Sequence, residues 1–240
     1  MKISIPQLMD LSAVQTSSTK ADVVHIAAMA AQFDCKATFC LSCFTPVLHE
    51  ERDRLGARFL IGGTVGYPSG QMTTAMKVAE ARELMKMNVD EVDMMINDGF
   101  LLSGMYDEVV ADIRSVKEIV GDLPLKVIVE APVLTLDELR RAAELVVKGG
   151  AQWIKTGTGW AKTGTTLEHL IAIKEAIGDS LHLKVAGGVS SLTTIRKMLP
   201  YGVERFGIGR SAGAILNEYA SEGSVVFDTP ETISGAVHVQ

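Results

Sequence analysis

Eight short apolar runs alternate with eight longer amphipathic stretches along this chain, and no other feature restricts its fold as much. The runs fall near 8–12, 36–42, 58–65, 91–96, 125–131, 152–157, 182–187 and 204–208. Helical periodicity marks the stretches near 19–33, 45–56, 73–87, 104–120, 135–148, 166–177, 191–199 and 211–221. Strand–helix alternation implies a parallel sheet with helical crossovers. The runs agree: Lys126-Val127-Ile128-Val129-Glu130 and Arg58-Phe59-Leu60-Ile61-Gly62 are apolar almost throughout, as in strands covered on both faces. In the stretch 73–87, Met76, Val78, Ala79, Ala81, Leu84 and Met85 supply a stripe for packing on that sheet. Thr135 followed by Glu138 reads as a capping box at a helix start.

Eight such units in 240 residues, with no linker between them, predict one α/β domain, a (β/α)8 TIM barrel over 1–223, followed by a C-terminal tail over 224–240 that loses the pattern and is expected to be loosely ordered or to reach over the site. The other arrangement compatible with alternation is an open doubly wound sheet. No Gly-x-Gly-x-x-Gly follows the first strand, which weighs against it.

A net charge of −6 disfavours a phosphate-backbone binder, so no nucleic-acid partner is expected. No apolar run approaches the roughly 18 residues that span a membrane, and no signal pattern opens the chain, so a cytoplasmic protein with no membrane partner is expected. Self-association into a homo-oligomer is expected as well. The three cysteines, Cys35, Cys40 and Cys43, lie within nine residues and suggest no disulfide framework. Cys40 and Cys43 have Cys-x-x-Cys spacing, but without a second pair or a histidine cluster they read better as small buried hydrophobes than as metal or redox ligands. No metal and no cofactor is expected.

Barrel enzymes carry their chemistry at the C-terminal ends of the strands. Two lysines there stand out, Lys155 in Trp153-Ile154-Lys155-Thr156-Gly157 and Lys184 in Leu183-Lys184-Val185-Ala186-Gly187, each embedded in a strand where an ammonium is costly to bury. Two nearby ammonium groups repel, so one loses its proton more readily and becomes a neutral amine able to attack a carbonyl. Asp93, between Val92 and Met94, is placed to pair with these lysines and to shuttle protons. Asp10, Cys40, Asn97, Glu130 and Thr156 occupy other strand ends and are candidates for the supporting polar network. The turns Gly187-Gly188-Val189 and Gly207-Ile208-Gly209-Arg210-Ser211 follow the seventh and eighth strands, where barrels often bind phosphate on backbone N–H groups. Gly187, Gly188, Gly209, Arg210 and Ser211 are the candidate anion site.

From Asp10 to Gly213 the segments Thr64-Val65-Gly66-Tyr67-Pro68, Glu91-Val92-Asp93-Met94-Met95, Leu125-Lys126-Val127-Ile128, Ile154-Lys155-Thr156-Gly157-Thr158-Gly159 and Lys184-Val185-Ala186-Gly187-Gly188 resemble, in order and spacing, the deoxyribose-phosphate aldolase family. The resemblance implies a metal-free class I aldolase barrel, with Lys155 as the Schiff-base lysine, Lys184 as the second lysine and Asp93 as the proton relay. The implied reaction is reversible cleavage of 2-deoxy-D-ribose 5-phosphate to glyceraldehyde 3-phosphate and acetaldehyde, with sugar phosphates and aldehydes as the small-molecule partners. The chain departs from the family pattern at Gly157, where the family has serine, and in its anion loop, where Arg210 is inserted. A related aldolase acting on another sugar phosphate, a phosphate-binding barrel isomerase or synthase that forms no imine, and a catalytically silent barrel are the alternatives.

Overall fold

The computed structural model describes residues 2–223 and 226–228. After β1 (Lys2–Ser4), eight parallel strands close into a barrel: β2 (Met9–Ala13), β3 (Ala37–Cys40), β4 (Leu60–Val65), β5 (Glu91–Met95), β6 (Leu125–Ile128), β7 (Trp153–Lys155), β8 (His182–Ala186) and β9 (Val203–Ile208). Pairing of Met9 with Phe206 and of Leu11 with Ile208 joins the last barrel strand to the first. Helices α1 (Lys20–Phe33), α2 (Thr45–Leu55), α3 (Thr74–Lys86), α4 (Asp98–Leu102), α5 (Tyr106–Val120), α6 (Leu136–Gly149), α7 (Leu167–Ile177), α8 (Leu192–Met198) and α9 (Ala212–Ser221) follow the strands in turn.

Side chains alternate across each strand. Leu11, Ile61, Val92, Val127, Ile154, Val185 and Phe206 face outward and, with the inner faces of the helices, form the main core. The expected helix starts at 19, 73, 135, 166 and 191 are the capping residues themselves: Thr19, Thr73, Thr135, Thr166 and Ser191 each accept a hydrogen bond from the backbone N–H three residues on. Such a cap contributes about 1 kcal/mol.

Two expectations are corrected. The buried stripe of α3 is Lys77, Ala81 and Leu84, while Met76 is exposed. The helix is turned because Lys77 is buried as an ion pair: its Nζ lies 2.5 Å from Asp112 of α5 and donates to the Met95 carbonyl at the end of β5. In addition, α4 precedes the helix expected at 104–120, started by the Asn97 side chain, which accepts from Phe100 N. Of the tail expected over 224–240, residues 226–228 form β10 (Val226–Asp228), antiparallel to β1, and the rest lies outside the described residues. Strand β1 leads into β2 from its N-terminal side, so this described part of the tail pairs with the segment that enters the barrel at the N-terminal ends of its strands. No helix among the described residues is long and apolar enough to cross a membrane.

Candidate active site

Inside the barrel, inward-facing positions of six strands bring seven ionisable side chains together: Asp10 (β2), Glu91 and Asp93 (β5), Lys126 (β6), Lys155 (β7), Lys184 (β8) and Arg205 (β9), all buried. Register explains the grouping, since Asp93 pairs with Lys126, Lys155 with Lys184 and Lys184 with Arg205. Asp93 Oδ2 lies 2.8 Å from the Nζ of both Lys155 and Lys184, and its Oδ1 lies 3.4 Å from Lys126. Lys184 also pairs with Asp10 at 2.8 Å. Space for these long side chains comes from glycines. A Cβ on Gly207 would approach the Cε of Lys184 to 3.4 Å, and one on Gly62 would meet Phe39 Cε1 at 2.0 Å. Gly62 thereby lets the Phe39 ring sit 4.0 Å from the Lys184 ammonium, a cation–π contact.

Burial alone would push Asp93 up, but Lys155, Lys184 and Lys126 prevail and hold its carboxyl well below the usual range. Lys155 is lowered from the ordinary lysine value, first by burial and then by the charge of Lys184, against the pull of Asp93. The repulsion expected from the sequence is therefore present but secondary to desolvation. Lys184 moves the other way: burial opposes its charge, yet Asp10, Asp93 and Glu91 together raise it. One lysine is thus made more acidic and its neighbour is kept cationic.

A cavity of about 510 Å³ opens over this cluster at the C-terminal ends of the strands, with Asp10, Phe39, Lys155 and Lys184 at its base and Gly187, Gly188, Gly209 and Arg210 along one wall. Gly187 and Gly188 have φ of +83° and +85°, which favours glycine, and a Cβ on Gly188 would meet Gly164 Cα at 2.8 Å. Gly209 has no such constraint. Arg210 is exposed on that wall. Ser211 is not among the lining residues: its hydroxyl donates to the Val189 carbonyl at 2.7 Å and ties the two anion-loop candidates together.

The remaining candidates support the site or lie away from it. Thr156 Oγ1 donates to the Ala186 carbonyl and accepts from Ala186 N, both at 3.1 Å, clamping β7 to β8 just beyond the lysines. Glu130 accepts from Thr158 N and Thr158 Oγ1 and so shapes the loop that follows Lys155. A Cβ on Gly157 would come to 3.0 Å from both Ala186 O and Glu130 Oε1, which favours glycine in this close-packed loop. Asn97 is the cap of α4. Cys40 is a correction: one residue past inward-facing Phe39, it points to the helical layer, where burial pushes its thiol up to about 12. Glu91, Lys126, Arg205 and Phe39 were not singled out from the sequence. Strand parity was the available signal, since Glu91 shares a face with Asp93, and Lys126 with Ile128, the register partner of Lys155.

A lysine made more acidic at the C-terminal end of a barrel strand suits imine formation, and residues 5–216 match the family model described as DeoC/LacD family aldolase. The chain belongs to the DeoC/LacD aldolase family. Among its relatives in this family, the deoxyribose-phosphate aldolase of Sinorhizobium medicae is 45% identical over 201 residues, 84% of this chain and 81% of the relative. That of Klebsiella pneumoniae is 42% identical over 207 residues, 86% and 83% of the two chains. The solved structure of QR15, an aldolase, superposes with a TM-score of 0.85 at 26% identity, covering 92% of this chain and 97% of the other.

Proposed function

We propose that this aldolase cleaves 2-deoxy-D-ribose 5-phosphate reversibly to acetaldehyde and glyceraldehyde 3-phosphate, with Lys155 as the imine-forming nucleophile. The observation that carries the assignment of Lys155 is accessibility combined with acidity. Its side chain is 10% exposed toward the cavity, against 1% for Lys184 and 0% for Lys126, and burial loosens its proton while Lys184 is held cationic. In the cleavage direction, neutral Lys155 Nζ adds to the C1 aldehyde of the open-chain sugar and water is lost, leaving an iminium as electron sink. The C3 hydroxyl then gives up its proton, the C2–C3 bond breaks, and glyceraldehyde 3-phosphate departs. Protonation of the enamine at C2 and hydrolysis release acetaldehyde and restore Lys155. Asp93, touching both lysines, is placed to relay these protons, and cationic Lys184 favours the neutral form of its neighbour. Gly187 and Gly188, with Arg210 beside Gly209, are assigned to the phosphate end.

A cytoplasmic location and a homo-oligomeric state belong to the same proposal. The test is borohydride reduction in the presence of acetaldehyde, followed by peptide mass mapping. A reduced two-carbon adduct on Lys155 is expected, together with loss of trapping and of deoxyribose 5-phosphate cleavage in Lys155→Ala. An adduct on Lys184, or trapping that persists in Lys155→Ala, would reject the assignment.

A further inference from the structure

Six of the seven buried charges form a closed ring. From Asp93 it runs to Lys184 (2.8 Å), on to Asp10 (2.8 Å), Arg205 Nε (2.7 Å), Glu91 (2.9 Å) and Lys126 (2.9 Å), and back to Asp93 (3.4 Å). Signs alternate around it, so three cations balance three anions. Lys155 is the seventh charge and stands outside, attached to the ring through Asp93. Each ring lysine has two carboxylate partners, whereas Lys155 has one. Arg205 does not line the cavity.

We propose that Arg205 is a positioning residue for imine formation: with Glu91 it closes a neutral ring and so leaves Lys155 as the single surplus cation of the buried cluster. The inference rests on the assignment of Lys155 above. A surplus charge out of water is costly, and the cluster sheds it where the fewest attractions are lost, which is at Lys155. Arg205 is suited to the far side of the ring because a guanidinium does not give up its proton and can hold two carboxylates at once. It holds Asp10 and Glu91 in this way, leaving Asp10 Oδ2 for Lys184 and Glu91 Oε2 for Lys126. Beyond the ring, Tyr67, past the end of β4, lines the same cavity as Lys155 and donates its hydroxyl to Thr158 O, and Glu130, past the end of β6, accepts from Thr158 N. Among the described residues no ion pair joins Glu130 to a ring cation. Strand β3 contributes the uncharged ring of Phe39.

The ring predicts shifts of opposite sign, measured as the acidic limb of the pH profile for borohydride trapping at Lys155. Removing the cation in Arg205→Met leaves three lysines for three carboxylates, so Lys155 holds its proton and the limb moves up by roughly one pH unit, a roughly tenfold slower trapping below it. Removing an anion in Glu91→Gln deepens the surplus and moves the limb down by a similar amount. The double variant Arg205→Met/Glu91→Gln removes one of each and returns the limb toward the wild-type position, as does Arg205→Lys. A purely structural role would lower yield and turnover without opposed shifts. Limbs that stay in place, or that move the same way in both single variants, would overturn the proposal. Should Arg205→Met not fold, Glu91→Gln decides alone, and an unmoved or rising limb there overturns it. Peptide mapping separates the two levels: an adduct away from Lys155 in the wild type defeats the assignment of the nucleophile, whereas unmoved limbs with the adduct on Lys155 defeat only the ring.

Discussion

Replacing Lys184 by methionine tests the electrostatic coupling between the two lysines most directly. The Nζ atoms of Lys155 and Lys184 are each 2.8 Å from the same Asp93 oxygen, so they lie at most about twice that, ~5.6 Å, apart. Two unit charges at that separation repel by about 3 kcal/mol at an effective dielectric constant near 20. At about 1.4 kcal/mol per pH unit, removing Lys184 should raise the pKa of Lys155 by roughly two units. Methionine keeps most of the stem length and the contact with Phe39, and it strands no carboxylate: Asp10 retains Arg205, and Asp93 retains Lys155 and Lys126. The assay is the rate of borohydride trapping with acetaldehyde as a function of pH. The acidic limb should move up by about two units, giving roughly hundredfold slower trapping near neutrality and recovery toward the wild-type rate at alkaline pH. A rate that falls equally at every pH would mean that Lys184 acts on the reacting atoms or on packing instead, and a limb that moves down would refute the reasoning. Because Lys184 touches Asp93 directly and Arg205 does so only around the ring, the Lys184 shift should be the larger of the two.

Three further outcomes follow from the geometry. Arg210→Ala should raise KM by about ten- to a hundredfold for a phosphorylated acceptor aldehyde and leave kcat/KM for an unphosphorylated one level, as expected for one lost charge-assisted hydrogen bond; an equal effect on both would remove Arg210 from the phosphate site. Lys77→Met leaves Asp112 buried without its cation, which should cost about 3–5 kcal/mol and lower Tm by roughly 10 °C, and Asp112→Leu added in that background should restore much of the loss. Asp98 is buried, and burial together with Glu130 raises its carboxyl to about 7 from an ordinary 3.8. The folded protein therefore keeps a proton that the unfolded chain releases, and the stability tied to that proton is full below the ordinary value and lost as pH climbs through about 7. Asp98→Asn should accordingly raise Tm above about pH 8 and leave it unchanged near pH 4, and a gain at both would point to a cause other than titration.

The barrel was legible in the sequence because its signals are local. Each strand is an apolar run, and helices such as α1 and α6 open on a Thr whose cap is completed by the acid three residues on. Lys155, Lys184 and Asp93 were legible for a related reason: a charge inside an apolar run conflicts with its surroundings wherever the strand lies. Lys126, Glu91 and Arg205 sit nearer the N-terminal ends of their strands, where a charged residue reads as an ordinary strand boundary. Only closure of the barrel shows otherwise, because Arg205 meets Glu91 across 114 residues and Asp10 across 195. The same limit misled the reading of α3, whose expected stripe was built from apolar residues and left out Lys77, although Asp112, 35 residues later, lets that lysine be buried. Cys40 failed in the opposite way: it stands at a strand end, as a site residue would, but the two-residue period that turns Phe39 inward turns Cys40 out. Local conflict with the strand pattern thus singled out Lys155, Lys184 and Asp93, whereas the charged groups around them are joined only by contacts between distant strands.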